Sequence, residues 1–190
     1  MLEQSDVLLT LAEVAASFAG FAALVTLFAR RRIAGAAIHD LLRLRLVIGT
    51  SVVAVIAALV PVALAGYGFS DTTTWRIGTA IFLVLIYFTI GSFISSYRPV
   101  KDTFAPDGLA VLIVIVLEVF IQIGLFTVLL GFAEDRHYGL YISALIGTIG
   151  QAAFVFLRLV ESTFSSIVVQ PDDTAAAKNR TTRNAKTLSM

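Results

Sequence analysis

The sequence predicts an all-α integral membrane protein, a polytopic bundle of five transmembrane helices with the N-terminus outside and the C-terminus in the cytoplasm. Three observations carry this expectation. Hydrophobic residues make up 58% of the 190-residue chain and charged residues 14%, with a mean hydropathy of +0.90; soluble domains run nearer 25% charged. The apolar residues gather into five runs, at about 7–29, 41–66, 75–96, 109–132 and 140–160. Each run has about 20 residues or more, enough to cross roughly 30 Å of hydrocarbon. Finally, the basic residues are sorted by connection. Arg30, Arg31, Arg32, Arg43, Arg45, Arg98, Lys101, Lys178, Arg180, Arg183 and Lys186 fall around the first connection, the third connection and the tail, against Arg76 and Arg136 in the other two connections. The positive-inside rule then orients the bundle.

The first run is too long for a signal-peptide core and has no basic residues before it, so it is expected to remain in the mature protein. Within it Thr10, Glu13, Ser17 and Gly20 share a helical face. Ala12, Ala16 and Gly20, and again Ala15, Ala19 and Ala23, have the small-xxx-small spacing that lets helix backbones approach closely. In the second run Arg43, Thr50, Ala54, Pro61 and Ala65 line one side. Pro61 predicts a kink whose freed carbonyl is satisfied by a neighbouring helix, while Arg43 and Arg45 stand close enough to the cytoplasmic edge to snorkel.

The third run is mostly apolar and is expected at the periphery. A short turn over Pro99–Pro106, with Gly108 after it, leads into the fourth run. There Glu118 and Gln122 stand one turn apart. The fifth run has the clearest pattern: Ser143, Gly147, Gly150, Gln151, Phe154, Arg158 and Glu161 fall in one arc of about 100°. Tyr67, Trp75, Tyr138 and Tyr141 fall at the expected outer boundary, where amphipathic rings favour the headgroup layer. Residues 1–169 therefore read as one transmembrane domain. Residues 170–190, polar and basic, read as a disordered cytoplasmic tail with weak attraction to anionic lipid.

The candidate functional residues are the polar groups inside the runs, because a carboxylate in hydrocarbon is costly and is usually kept for a reason. Glu13 lies about 9 Å below the outer edge, and Glu118 about 15 Å from the cytoplasmic edge, near the midplane. Ordered by depth, Glu13, Gln122, Glu118 with Gln151, and then Arg158 with Glu161 form a ladder across the bilayer. A proton or cation pathway needs such stepwise relays. The same ladder would also arise in a bundle held together by polar contacts. Leu11-Ala12-Glu13-Val14 resembles the first-helix glutamate segment of the small multidrug resistance transporters, which implies a carboxylate exchanging protons against a cationic drug. The likeness covers those four residues, and that family has four spans and a much shorter chain.

Several chemistries are disfavoured. The chain has no cysteine, and no Asp or Lys lies within a run. That removes thiol chemistry, paired intramembrane aspartates and a retinal Schiff base. His39 and His137 fall in connections on opposite sides, so transmembrane haem ligation and a Ser/His dyad are not expected. Glu134-Asp135-Arg136-His137 reads as a solvated turn. Neither a P-loop nor a GxGxxG motif occurs. No enzyme activity, cofactor, metal or nucleic-acid partner is therefore expected. The partners expected are the lipid bilayer, a second copy of the chain in a homo-oligomer, and a proton or small cation. Arg outnumbers Lys eleven to three in an Ala-rich chain, a composition that points to a GC-rich bacterial genome, and the location expected is a plasma membrane, the bacterial inner membrane. The function expected is an oligomeric channel or transporter for an ion, proton or small cation; the alternative is a non-transporting accessory subunit or a stress- or defence-linked membrane effector.

Overall fold

A computed structural model describes residues 2–29, 37–98, 108–132 and 134–168. They form five helices: α1 (Leu2–Ala29), α2 (Ala37–Gly66), α3 (Asp71–Tyr97), α4 (Gly108–Leu129) and α5 (His137–Val168), with a 3₁₀ turn at Glu134–Arg136 before α5. Each contains an apolar segment of 21 to 27 residues, long enough to cross a membrane. The fold is all-helical across the described residues and compatible with a multi-pass membrane protein. The Arg30–Arg32 cluster, the Pro99–Pro106 turn and the tail 170–190 lie outside the described residues.

The helix ends are set by local chemistry. α3 begins at Asp71, four residues before the apolar run, because Ser70 caps it. The Ser70 hydroxyl oxygen accepts from the Thr73 amide at 3.4 Å, and Asp71 places a negative charge in the first turn. α2 and α4 end in the same way. Gly68 and Gly131 take φ of 80° and 79°, the left-handed conformation that closes a helix most cheaply when the residue is glycine. At the α4 end the Gly131 amide donates to Val128 O at 3.1 Å and the Phe132 amide to Thr127 O at 3.0 Å. At the α2 end the Gly68 amide donates to Ala65 O at 3.0 Å and the Phe69 amide to Leu64 O at 3.4 Å. The α2–α3 and α4–α5 hairpins thus turn through equivalent Gly-Phe corners. The same distance beyond each glycine stand Trp75 and Tyr138, whose ring centroids are 5.6 Å apart.

The core lies where α2 meets α5. Ala54, Ala57, Ala58, Phe82, Tyr141, Ala144 and Leu145 are all at or near zero exposure. Small residues on α2 and α5 permit the close approach, and the large rings of Phe82 and Tyr141 fill what remains. Pro61, buried within α2, has no N–H to offer Ala57 O. Tyr141 of α5 supplies the missing donor: its hydroxyl donates to Ala57 O at 2.6 Å. The carbonyl freed by the proline is therefore satisfied from a neighbouring helix, as a backbone group without access to water requires. α3 closes on the same place, since a Cβ at Gly78 would sit 3.2 Å from Pro61 Cγ and 3.6 Å from the Tyr141 hydroxyl.

This arrangement corrects the expected aromatic girdle. Tyr67 is exposed, but Tyr141 and Trp75 are buried, with ring centroids 5.3 Å apart. An internal carbonyl claims the Tyr141 hydroxyl, so its ring packs inward. The periphery also differs from expectation. α3 buries Thr74, Trp75, Gly78, Thr79, Phe82, Leu83 and Ile86, whereas α4 buries only Ile121, Leu125 and Val128 and is the least covered of the five. α1 packs on α2 and α5 through Leu8, Ala12, Ala15 and Ala22. That contact uses its small face, so Thr10, Glu13, Ser17 and Gly20 point away from the bundle.

Two substitutions test this account. Tyr141→Phe should lower stability by about 1–2 kcal/mol through the orphaned carbonyl, measured by reversible unfolding in mixed micelles. The penalty should shrink in a Pro61→Ala background, where residue 61 regains an N–H for Ala57 O. Gly131→Ala should cost about 1–2 kcal/mol for the left-handed backbone alone. The Arg76 guanidinium lies where the new Cβ would stand and must also shift, so a change within error of zero would overturn the assignment.

Candidate functional site

The second feature of the bundle is a polar chain across α3, α4 and α5. Glu118 and Gln122 lie one turn apart on α4, which puts both side chains on one face. Gln122 Nε2 donates to Glu118 Oε1 at 2.7 Å. Across the α4–α5 contact, Gln151 Nε2 donates to Glu118 Oε2 at 3.2 Å and to the Val114 carbonyl at 3.1 Å. On the other side the Tyr87 hydroxyl of α3 donates to Gln122 Oε1 at 3.1 Å. Glu118 thus accepts one amide N–H on each carboxylate oxygen, and hydrogen bonds to a carboxylate are stronger than neutral ones.

Helix packing explains the position of Gln151, which is buried on α5. One turn before it is Gly147, where a Cβ would approach Ile121 Cγ1 to 2.9 Å. The missing side chain lets α5 lie close to α4, and that proximity brings the Gln151 amide to both Val114 O and Glu118.

Beside this chain is a half-open cavity of about 260 Å³ between α3 and α4, backed by α2 and α5 and open along the side where Ile115 and Val119 are exposed. Glu118 and Gln151 form part of its wall, with Thr50, Thr89 and Thr148. Its existence follows from uneven packing, since α3 meets α4 far less extensively than α2 meets α5.

The six residues of the expected pathway therefore divide. Glu118, Gln122 and Gln151 come together. Glu13 does not join them, because it stands exposed on the outward face of α1. Arg158 and Glu161 pair with each other at 3.4 Å, and the Arg158 guanidinium also lies 5.8 Å from the centroid of the Phe154 ring. Arg45 does more than reach for an interface: its guanidinium donates to Ser96 Oγ at 2.7 Å and Ser92 Oγ at 2.8 Å, clasping α2 to α3. Sequence reasoning missed Tyr87. The signal was present, since a tyrosine in mid-span needs a partner for its hydroxyl.

Among the described residues no group of three or more His, Asp or Glu side chains stands close enough to hold a metal ion. His137 at the head of α5 is buried, and its Nε2 has no hydrogen-bond partner among them. Compared with known proteins, the chain matches no family model, no curated protein and no solved structure.

If Glu118 and Gln151 are coupled as described, a double-mutant cycle of Glu118→Ala and Gln151→Ala should give an interaction energy of about 0.5–1.5 kcal/mol, read from unfolding in micelles. Additive effects would mean that the hydrogen bond carries no energy.

Proposed function

We propose that the protein is an oligomeric channel or transporter for an ion, proton or small cation, and that Glu118 is the carboxylate on which it turns. One observation supports this above the others: Glu118 lies at mid-helix, held by amides from two helices, on the wall of a cavity. A carboxylate wanted only to join helices would need no open volume beside it. Intramembrane carboxylates that border cavities are where ion and proton pathways are usually found. In this reading Gln122, Gln151 and Tyr87 orient the carboxylate, Arg158 and Glu161 lie towards the cytoplasmic mouth, and Glu13 acts elsewhere. The orientation proposed is N-terminus outside and C-terminus in the cytoplasm of a bacterial inner membrane, on the basic-residue asymmetry.

The homo-oligomer is proposed from α1. Asp6, Thr10, Glu13, Ser17 and Gly20 form an outward stripe with alternating four- and three-residue spacing, the spacing of a helix seam. Facing lipid, Glu13 would be costly; against a second copy it could share hydrogen bonds. The same stripe favours a second reading, in which the protein is a non-transporting subunit that docks α1 on a larger membrane complex.

Reconstituted flux distinguishes the two. Glu118→Gln keeps the shape and one of the two acceptor oxygens but removes the ionisable group. Proton or cation flux into proteoliposomes should fall about tenfold or more, while expression and particle mass hold. Wild-type flux indistinguishable from empty vesicles would sink the transport reading. Reporter fusions after Phe69 and at the tail should give external and cytoplasmic signals respectively. A single copy per nanodisc by mass measurement would remove the homo-oligomer.

A further inference from the structure

The chemistry of the cavity wall is lopsided. Ile86, Ile90 and Phe93 of α3 and Val114, Ile115 and Val119 of α4 give it branched and aromatic apolar surface. Glu118 is the single charged residue on the lining. An ionised carboxylate has about four acceptor positions, and Glu118 uses one on each oxygen for Gln122 and Gln151. The Gln151 amide nitrogen is committed to Glu118 and Val114 O, which leaves its Oε1 as an acceptor. Thr50 donates its proton to Leu46 O and Thr148 to Ala144 O within their own helices, so each presents lone pairs. The polar capacity left at these positions is therefore nearly all acceptor, with one formal negative charge, and apart from the Thr89 hydroxyl the rest of the wall is hydrocarbon.

That combination selects its ligand. An anion would meet the Glu118 carboxylate with no cation to offset it and only the Thr89 hydroxyl to offer a hydrogen bond. A bare metal ion wants six or more oxygens close around it and would leave most of the cavity of about 260 Å³ unfilled. A neutral apolar molecule would leave the carboxylate unpaired. The molecule that satisfies every wall has a donor-bearing positive head and a compact apolar body.

We propose that this cavity binds a monocationic amphiphile, a protonated primary or secondary amine on a compact hydrocarbon body. The ammonium lies against Glu118 and Gln151 Oε1, and the body lies against Ile90 and Phe93. This rests on the reading of Glu118 as the functional carboxylate and names the class of molecule that reaches it.

The test uses the full chain purified in maltoside micelles, with calorimetric titration of cyclohexylmethylammonium and of its uncharged counterpart, cyclohexylmethanol. The amine should bind saturably and the alcohol more weakly. Glu118→Gln should weaken the amine about tenfold or more and leave the alcohol nearly unchanged. Ile115→Trp should abolish binding of both; Ile115 lines the cavity but is 53% exposed, so the larger ring can enter without disturbing the core. It also serves as the probe should Glu118→Gln not fold. Equal affinity for amine and alcohol, or amine binding that survives Ile115→Trp, would overturn the proposal. Glu118-dependent flux of protons or sodium ions without amine binding would overturn the ligand class and leave the transport reading standing; absence of both binding and flux would remove the two together.

Discussion

Everything in this bundle is arranged around one constraint: a backbone carbonyl inside a membrane-spanning segment has no water to turn to. Pro61 creates such a carbonyl at Ala57, in the middle of the most tightly packed region, and the Tyr141 hydroxyl answers it at 2.6 Å. The consequences spread outward from that bond. To deliver its hydroxyl, Tyr141 must lie inside the bundle, so α2 and α5 must approach closely; Ala54, Ala57, Ala58 and Ala144 supply the room. Once inside, its ring has Trp75 and Phe82 as neighbours at 5.3 and 5.6 Å, which fixes α3. A proline inside a helix costs about 3 kcal/mol, and here it serves to register three helices.

The cavity follows from the same packing. The α2–α3 and α4–α5 hairpins close with equivalent Gly-Phe corners. If they were also packed alike, the α3–α4 junction would be as tight as the α2–α5 junction. It is not, because nothing on α4 plays the part of Tyr141. Large branched side chains stand on both sides of the α3–α4 junction in place of alanines. Helices that meet through Ile, Val and Phe stay farther apart than helices that meet through Ala and Gly. The gap that remains would be bridged only by apolar contacts, were it not for Tyr87, Gln122, Glu118 and Gln151. The polar chain and the open volume are thus two results of one departure from equivalence.

Much of the fold was legible in the sequence because length and hydropathy are one-dimensional quantities. Five apolar runs became five helices, and Pro61 announced a carbonyl in need of a donor. Helix ends were displaced where capping chemistry overrode hydropathy: Ser70 starts α3 before its apolar run, and Gly131 ends α4 before its run is over. The faces were less legible. In a soluble helix the polar side marks solvent and the apolar side marks the core; in a bilayer both sides are apolar, and small residues, more than polar ones, mark the contact. That is why the Ala12–Ala15–Ala22 side of α1 turned inward and the Thr10–Glu13–Ser17 side did not. It is also why Tyr141 and Trp75 pack inward although their positions near the helix ends suit a girdle. The pairing of Glu118 with Gln122 could be read from their spacing. Its contact with Gln151 could not, since it depends on the register between two helices, set at Gly147 and Ile121.

The two glutamates within the apolar runs carry the same cost of burial in hydrocarbon and differ in their neighbours. Four residues after Glu118 comes Gln122, whose amide reaches back to the carboxylate; four residues after Glu13 comes Ser17, whose hydroxyl donates to the Glu13 backbone carbonyl at 2.8 Å. A serine used in this way gives the side chain nothing, while a glutamine gives it a charge-assisted hydrogen bond. Glu118 therefore has its partners within the chain, on α4 and α5, and can be held in a fixed direction beside a cavity. Glu13 has none of these neighbours and faces outward. Depth alone made the two carboxylates look like rungs of one ladder. Their different neighbours make Glu118 an internal residue of the bundle and leave Glu13 on the outward face of α1.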